Sequence, residues 1–195
     1  AWERISEAQG LPVPWANRAM EDREGNLWIG GLGLHRTLGH EVWYQHTHKD
    51  GIPGGVVRSI LKDARGRFWI GTVNGVCTAG KGAWHLVPET RDQAIMALAL
   101  APDGALWMGG APARLRRWMP GTNQWQEFPQ PESTITALQF DPSGNLWVAT
   151  RRQGLFCMAK ELGNYHLEPI EPAGWVPGER IESMVLGNAG RLWLG

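Results

Sequence analysis

Apolar residues come in short runs, four to six residues long, bracketed by glycine and polar turn residues. One run recurs along the chain. Gly25-Asn26-Leu27-Trp28-Ile29-Gly30 is followed by Gly66-Arg67-Phe68-Trp69-Ile70-Gly71 and Gly104-Ala105-Leu106-Trp107-Met108-Gly109, then by Gly144-Asn145-Leu146-Trp147-Val148-Ala149 and Gly190-Arg191-Leu192-Trp193-Leu194-Gly195. The tryptophans are 41, 38, 40 and 46 residues apart. Runs this short, closed off by glycine, predict strands; a helical repeat needs two stretches of about ten residues in each period. A strand-built repeat of about 40–50 residues predicts the blades of a β-propeller, each of four antiparallel strands.

Each unit divides into four pieces. An apolar inner strand comes first, as in Val57-Arg58-Ser59-Ile60-Leu61 or Ile135-Thr136-Ala137-Leu138-Gln139-Phe140. A turn opened by Asp and closed by Gly follows, as in Asp22–Gly25, Asp63–Gly66 and Asp141–Gly144. Asp in that place accepts hydrogen bonds from backbone amides two residues on, and Gly tolerates positive φ. The Leu-Trp-Ile strand is second. A third strand follows a glycine turn, as in Gly75-Val76-Cys77 and Gly154-Leu155-Phe156-Cys157, and the fourth carries an aromatic, Trp43, Trp84, Trp125 or Tyr165. The expected blades are residues 15–46, 56–87, 93–128 and 133–168, with a partial blade at 180–195; residues 1–8, with Trp2, read as the outer strand of a preceding blade. About five blade positions result. They form an open arc or a fragment of a larger ring, unless the N-terminal strand completes the last blade and closes the ring. Open edges call for further blades or a second protomer to cover them.

Composition narrows the class. The 195 residues include 19 basic and 19 acidic side chains, a balance that disfavours nucleic acid as a partner. No run of about eighteen apolar residues is present, so no membrane segment is expected in this chain. The first residues, Ala1-Trp2-Glu3-Arg4, lack an initiator Met and the apolar run of a signal peptide, and Arg191–Gly195 stops inside an apolar pattern; both ends read as cut from a longer protein. Gly 26, Pro 13 and Trp 12 fit many turns between flat aromatic layers. Cys77 and Cys157, two repeats apart, read as small apolar residues rather than a disulfide.

The pattern Asp-x-x-Gly-x-Leu-Trp-Ile-Gly-Thr-x-x-Gly-Val/Leu resembles the two-component regulator propeller repeat. Asp63, Gly66, Phe68, Trp69, Ile70, Gly71, Thr72, Gly75 and Val76 match it almost position by position. Asp141 to Leu155 is similar, with Ala149 in place of the Gly and one residue inserted before Gly154. The linker Gly-Leu-Pro that often precedes a unit is found as Gly10-Leu11-Pro12 and Gly51-Ile52-Pro53. The third unit departs most, with Ala101 where the Asp belongs and Ala111-Pro112-Ala113 after its strand. The resemblance covers essentially the whole chain. It implies a bacterial extracytoplasmic (periplasmic) sensor region set before a membrane helix and a histidine kinase or diguanylate cyclase module, with glycans or other small molecules as ligands. No kinase or cyclase motif lies in this chain.

Tryptophans repeated at one place in every unit (Trp28, Trp69, Trp107, Trp147 and Trp193) are expected to pack between blades, each contributing about 2–3 kcal/mol. Residues that break the repeat carry more information. Loops leading into the inner strand, and those between the second and third strands, are expected to share one face, the usual binding face on a rigid ring. Trp15 and Trp175 lie in such loops and suit stacking on a sugar or another flat ligand. The same face is expected to display Arg18, Arg58, Asn74, Asp92, Arg114, Arg151, Arg152 and Arg180. Converging arginines would favour an anionic ligand, since guanidinium pairs bidentately with carboxylate.

Other chemistry has little support. His46-Thr47-His48 with His40 makes only a weak metal candidate, and the six histidines read as outer-strand surface residues, so no metal or cofactor is expected. No nucleophile elbow, zinc-protease motif or phosphate loop occurs, and catalysis is not expected. Glu179 and Glu182 flank the last inner strand but make no acid–base pair without geometry. Ligand sensing by an all-β propeller is the leading expectation. A protein-docking or dimerisation platform is the alternative, and a lyase or hydrolase propeller the third.

Overall fold

The computed structural model describes residues 6, 10–11, 13, 15–38, 42–80, 83–112, 114–129, 131–161, 164–171, 179–187 and 190–195. Four four-stranded antiparallel meanders and one two-stranded sheet follow one another in chain order. The first is β1 (Arg18–Glu21), β2 (Leu27–Gly31), β3 (Gly33–Leu38) and β4 (Val42–His46); the second is β5 (Val57–Lys62), β6 (Phe68–Thr72), β7 (Gly75–Gly80) and β8 (Ala83–Leu86). The third is β9 (Ala94–Leu100), β10 (Leu106–Ala111), β11 (Leu115–Met119) and β12 (Gln124–Phe128); the fourth is β13 (Ile135–Phe140), β14 (Leu146–Thr150), β15 (Leu155–Glu161) and β16 (Asn164–Ile170). The last sheet is β17 (Met184–Leu186) with β18 (Leu192–Leu194). Residues 1–5 and 7–8, which the sequence assigns to an outer strand, lie outside the described residues. The chain divides into two compact units, Ala1–Gln93 and Ala94–Gly195.

The recurrent hexapeptide does three jobs. Its tryptophan fills the space between sheets. In the first unit Trp28 meets Phe68 at 4.4 Å and Trp84 at 6.5 Å between ring centroids, both in the next sheet. In the second unit Trp107 meets Phe140 at 6.1 Å and Tyr165 at 5.3 Å in the same way. In both pairs the fourth-strand aromatic of a blade receives the second-strand tryptophan of the blade before it. Trp147 is half-buried against the apolar cluster that holds Leu155, Ile181 and Met184. Trp193 departs from the expected packing and is 63 % exposed. Strand alternation explains it: Leu192 and Leu194 point to the cluster shared with the fourth sheet, so Trp193 points to the other face, where no described sheet lies.

The residue after Leu-Trp-Ile leaves a hole. A Cβ on Gly30 would stand 2.6 Å from Val57 Cγ1, and one on Gly109 would stand 2.6 Å from Ile135 Cγ2. Val57 and Ile135 begin the inner strands of the following sheets and are fully buried. Glycine is required here by close approach of the next blade, not by backbone conformation. In the fourth sheet Ala149 stands in that place and packs with Ile181.

The turn aspartate binds the tryptophan as well as the turn. Asp22 Oδ1 accepts the N–H groups of Glu24 (3.1 Å) and Asn26 (2.8 Å), and its Oδ2 accepts Trp28 Nε1 at 2.8 Å. Asp63 and Asp141 repeat the indole bond at 3.3 Å to Trp69 and 3.1 Å to Trp147. Burial works to raise the Asp22 pKa, but bonds from Trp28 and Asn26, with Lys62 nearby, outweigh it and pull it to about 2. In the third sheet Ala101 makes the same backbone turn, with its N–H donating to Ala105 O at 2.9 Å, and has no carboxylate to offer Trp107. Asp103 there accepts Ala105 N–H at 3.0 Å and pairs with Arg117 at 2.7 Å.

Of the histidines read as surface residues, His35 is core and the half-buried His46 packs on aromatic rings. His35 pairs across the sheet with Ile29, shares its buried face, and is fully buried with Nε2 3.1 Å from Leu32 O. Burial holds its pKa below the usual imidazole value. His46 stacks on Trp28 at 5.9 Å and meets Trp84 edge-on at 5.8 Å. Cys77 is buried, which pushes its thiol up to about 12, so it is an inert core residue. Cys157 is only half-buried.

Candidate functional site: the bulged ends of the inner strands

The inner strands share a distortion near their first residue. In the second sheet Val57 faces Thr72 and Ser59 faces Gly71, which leaves Arg58 as an extra residue without a partner. In the fourth sheet Ile135 faces Thr150 and Ala137 faces Ala149, which leaves Thr136. In the third, Ile95 and Ala97 face Gly110 and Gly109, which leaves Met96. In the last sheet Glu182 N and Ser183 N both donate to Gly195 O, at 2.8 and 2.9 Å. In the first, Asn17 N donates to Gly30 O at 2.8 Å while Arg18 faces that same glycine. A bulge frees one side chain from the alternation and re-aims it. The freed set is Asn17, Arg58, Met96, Thr136 and Glu182. Only Arg58 and Glu182 among these stood out in the sequence. A bulge is a register offset between two strands, which a local pattern does not display.

In the first unit the loops at this end are tied to one another. Asn17 Nδ2 donates to Val57 O at 3.1 Å, and Asn17 Oδ1 accepts Arg58 Nη1 at 3.3 Å. Arg18 Nη1 donates to Asn17 O at 2.9 Å. Leu32, between β2 and β3, bridges to Val56. Asn74, between β6 and β7, donates from Nδ2 to Gly54 O, and its own carbonyl accepts Asp92 N–H at 3.2 Å. Asp92 is exposed and sits at φ 58°. Trp15 is 41 % exposed. An open pocket of about 200 Å³ lies beside these loops. Leu32, Ile52 and Pro53 give it apolar walls; Gln45, Thr47 and His48 give it polar ones, and Gly33, Gly54 and Gly55 bring backbone to its rim.

In the second unit the corresponding arginines are committed to carboxylates or solvent. Arg114, between β10 and β11, pairs with Glu127 at 2.9 Å, both exposed. Arg151 Nε lies 3.2 Å from Glu182 Oε1, and the Arg151 N–H donates to Thr134 O at 2.9 Å. Arg152 is exposed and donates its N–H to Ser133 Oγ at 3.0 Å. Arg180 is exposed in the irregular stretch before β17. Trp175 lies outside the described residues. His40 does too, and no three His, Cys, Asp or Glu side chains come together among the described residues. Among the described residues no helix is long and apolar enough to cross a membrane.

The model of the two component regulator propeller matches residues 51–74 and 129–152. These are the loops into β5 and β13, the bulges, and the Asp-Trp strands that follow. No curated protein matches the sequence. Among solved structures, the extracellular domain assigned to a hybrid two component system of B. thetaiotaomicron is 24 % identical, with a TM-score of 0.78 over 94 % of this chain and 26 % of that one. Virginiamycin B lyase from Staphylococcus aureus is 16 % identical, with a TM-score of 0.70 over 90 % of this chain and 61 % of the lyase. The WD40 beta propeller domain of Doa1 is 15 % identical, with a TM-score of 0.66 over 76 % of this chain and 52 % of that one. The chain spans about a quarter of the length of the B. thetaiotaomicron domain. At these identities the likeness speaks for architecture. The chain adopts the β-propeller fold, and two of its segments, residues 51–74 and 129–152, match the two component regulator propeller model.

Proposed function

We propose that this chain is a ligand-sensing propeller region of a bacterial membrane-bound signal-transduction protein, located in the periplasm, that binds a small molecule or saccharide at the bulged end of its inner strands. The observation that carries the reading is the first unit's bulged end. Asn17 and Arg58 are drawn together there by hydrogen bonds, and Gly54 and Gly55 of the loop leading into the Arg58 strand help line a pocket of about 200 Å³ with both apolar and polar walls. Apolar walls with a few polar groups are how small ligands are held and oriented. The repeat match and the likeness to an extracellular domain of a two component system support the signalling context. The reading assigns no catalytic step, although the fold is shared with a lyase.

A thermal-shift series with mono- and disaccharides tests this. A ligand at a hundred times its Kd stabilises the native form by about 2.7 kcal/mol, a rise of roughly 5–10 °C in Tm for a chain of this size. No shift from any sugar at millimolar concentration would remove the reading.

A docking platform is the second reading. It is favoured by the outer face of the last sheet, where Val185 is 59 % and Trp193 63 % exposed. Concentration-dependent self-association in sedimentation, abolished by Trp193→Ser, would favour it.

A further inference from the structure

We infer that the bulge of the second blade is an anion subsite, and that the small molecule bound there carries a carboxylate. This rests on the sensing role proposed above and names its ligand class.

Among the described residues four arginines have an Nε shielded from solvent and without a hydrogen-bond acceptor: Arg36, Arg58, Arg117 and Arg151. Three have their charge accommodated. Arg117 pairs with Asp103 at 2.7 Å, Arg151 pairs with Glu182 at 3.2 Å, and Arg36 lies over the Trp28 ring at 5.1 Å. Arg58 has only the Asn17 amide oxygen, at 3.3 Å, which bears no formal charge. Among the described residues no carboxylate pairs with it.

The amide is fixed in orientation. Asn17 Nδ2 donates to Val57 O, so Oδ1 is turned to Arg58. The Asn17 carbonyl holds Arg18 Nη1 at 2.9 Å. One asparagine therefore holds both side chains, Arg18 through its backbone carbonyl and Arg58 through its amide oxygen. The half-buried position of Arg58 weakens screening by water and raises the gain from a counter-charge.

The same chain shows the occupied version. In the last sheet the freed residue at this level is Glu182, and its carboxylate sits on Arg151. A carboxylate at a bulge therefore meets a guanidinium in this fold. In the second blade the polarity is reversed: the bulge supplies the guanidinium and the carboxylate has to come from outside. Guanidinium offers a planar fork that a carboxylate matches with two parallel bonds, whereas a sugar hydroxyl engages it at one point.

The test is calorimetry on the whole chain at low salt with four probes: D-galacturonate and D-glucuronate, and their neutral counterparts D-galactose and D-glucose. At least one acid should bind about tenfold or more tighter than its neutral partner, and this preference should shrink as NaCl rises. Arg58→Gln should remove it, and Arg58→Lys should keep part of it. The salt titration of the unaltered chain decides the matter even if the variants fold poorly. Equal binding of acid and neutral sugar, or acid binding unchanged in Arg58→Gln, overturns the carboxylate assignment while leaving saccharide sensing in place. Binding of neither class overturns the assignment and the sensing role together.

Discussion

The two units build the same end of the blade and fill it with opposite charge logic. In the second unit the freed residue Glu182 neutralises Arg151 within the chain, and Arg114 is neutralised by Glu127. In the first unit the freed residue is Arg58, and its partner Asn17 is neutral. The backbone that presents them differs little. A bulge opens the inner strand, a glycine or alanine closes the second strand, and a buried β-branched residue fills the hole between sheets. The repeat therefore fixes where a side chain is presented and leaves its chemistry free to vary. Conserved architecture and variable site can occupy adjacent positions: Val57 is buried scaffold, and Arg58 beside it is the candidate ligand contact.

The sharpest way to break this comparison is to remove tryptophans that share a sequence position but not an environment. Trp107 is almost fully buried among Phe128, Phe140 and Tyr165, so Trp107→Ala should cost about 3–5 kcal/mol. Trp193→Ala, at an exposed position, should cost less than about 1 kcal/mol. Urea melts followed by circular dichroism measure both. Equal costs would mean that the last sheet is covered in solution.

The next effect separates sheets with the turn aspartate from the one without. Asp22→Ala strips Trp28 Nε1 and two backbone amides of their acceptor and should cost about 2–3 kcal/mol. Ala101→Asp offers the third sheet the missing acceptor and should gain about 1 kcal/mol, read from the same melts.

The turn aspartates also set the acid limb of stability. Folded Asp22 has its pKa pulled to about 2, below the ordinary aspartate value of about 3.9. Between those values the unfolded chain binds more protons, so stability rises with pH there. The contribution is fully present above about pH 4–5 and is lost as pH falls through about 2. Asp63, Asp103 and Asp141 are shifted the same way, opposed by burial and driven by their hydrogen bonds. Tm measured from pH 5 to pH 2 should fall, and Asp22→Asn should flatten the fall.

The smallest change in stability carries the most about charge. Arg151 and Glu182 are both partly exposed, so Glu182→Ala should move stability by no more than about 0.5 kcal/mol. It should nonetheless free Arg151 and give the second unit an affinity for glucuronate that it otherwise lacks, measured by calorimetry in an Arg58→Gln background. Unchanged anion binding in that double variant would show that the built-in carboxylate is not what distinguishes the two units.

Much of the scaffold was legible in the residues. The hexapeptide Leu-Trp-Ile-Gly is legible because one position packs between sheets and the next must be small, and both demands recur with each blade. The turn aspartate was legible as an amide acceptor, but its bond to the indole was not, because residues 22 and 28 meet only when two strands pair. His35 read as a surface residue because a lone histidine shows no pattern; its cross-strand partner Ile29 decides its burial. His46 read as a weak metal candidate, but Trp28 and Trp84 claim its ring. At the candidate site the arginines stood out as departures from the repeat, whereas Asn17, the residue that joins Arg18 and Arg58, did not. Its role comes from the bulge, and an offset between paired strands leaves no mark on either strand alone.

The most direct measurement of the central claim is amide and arginine Nε–H chemical-shift mapping of the whole chain during titration with D-glucuronate and D-glucose. The expected shifts are confined to the bulged end of the first unit, at Asn17, Arg18, Arg58 and Asn74, and are larger with the acid. Shifts centred on Val185 and Trp193, or no shifts with either sugar, would contradict it.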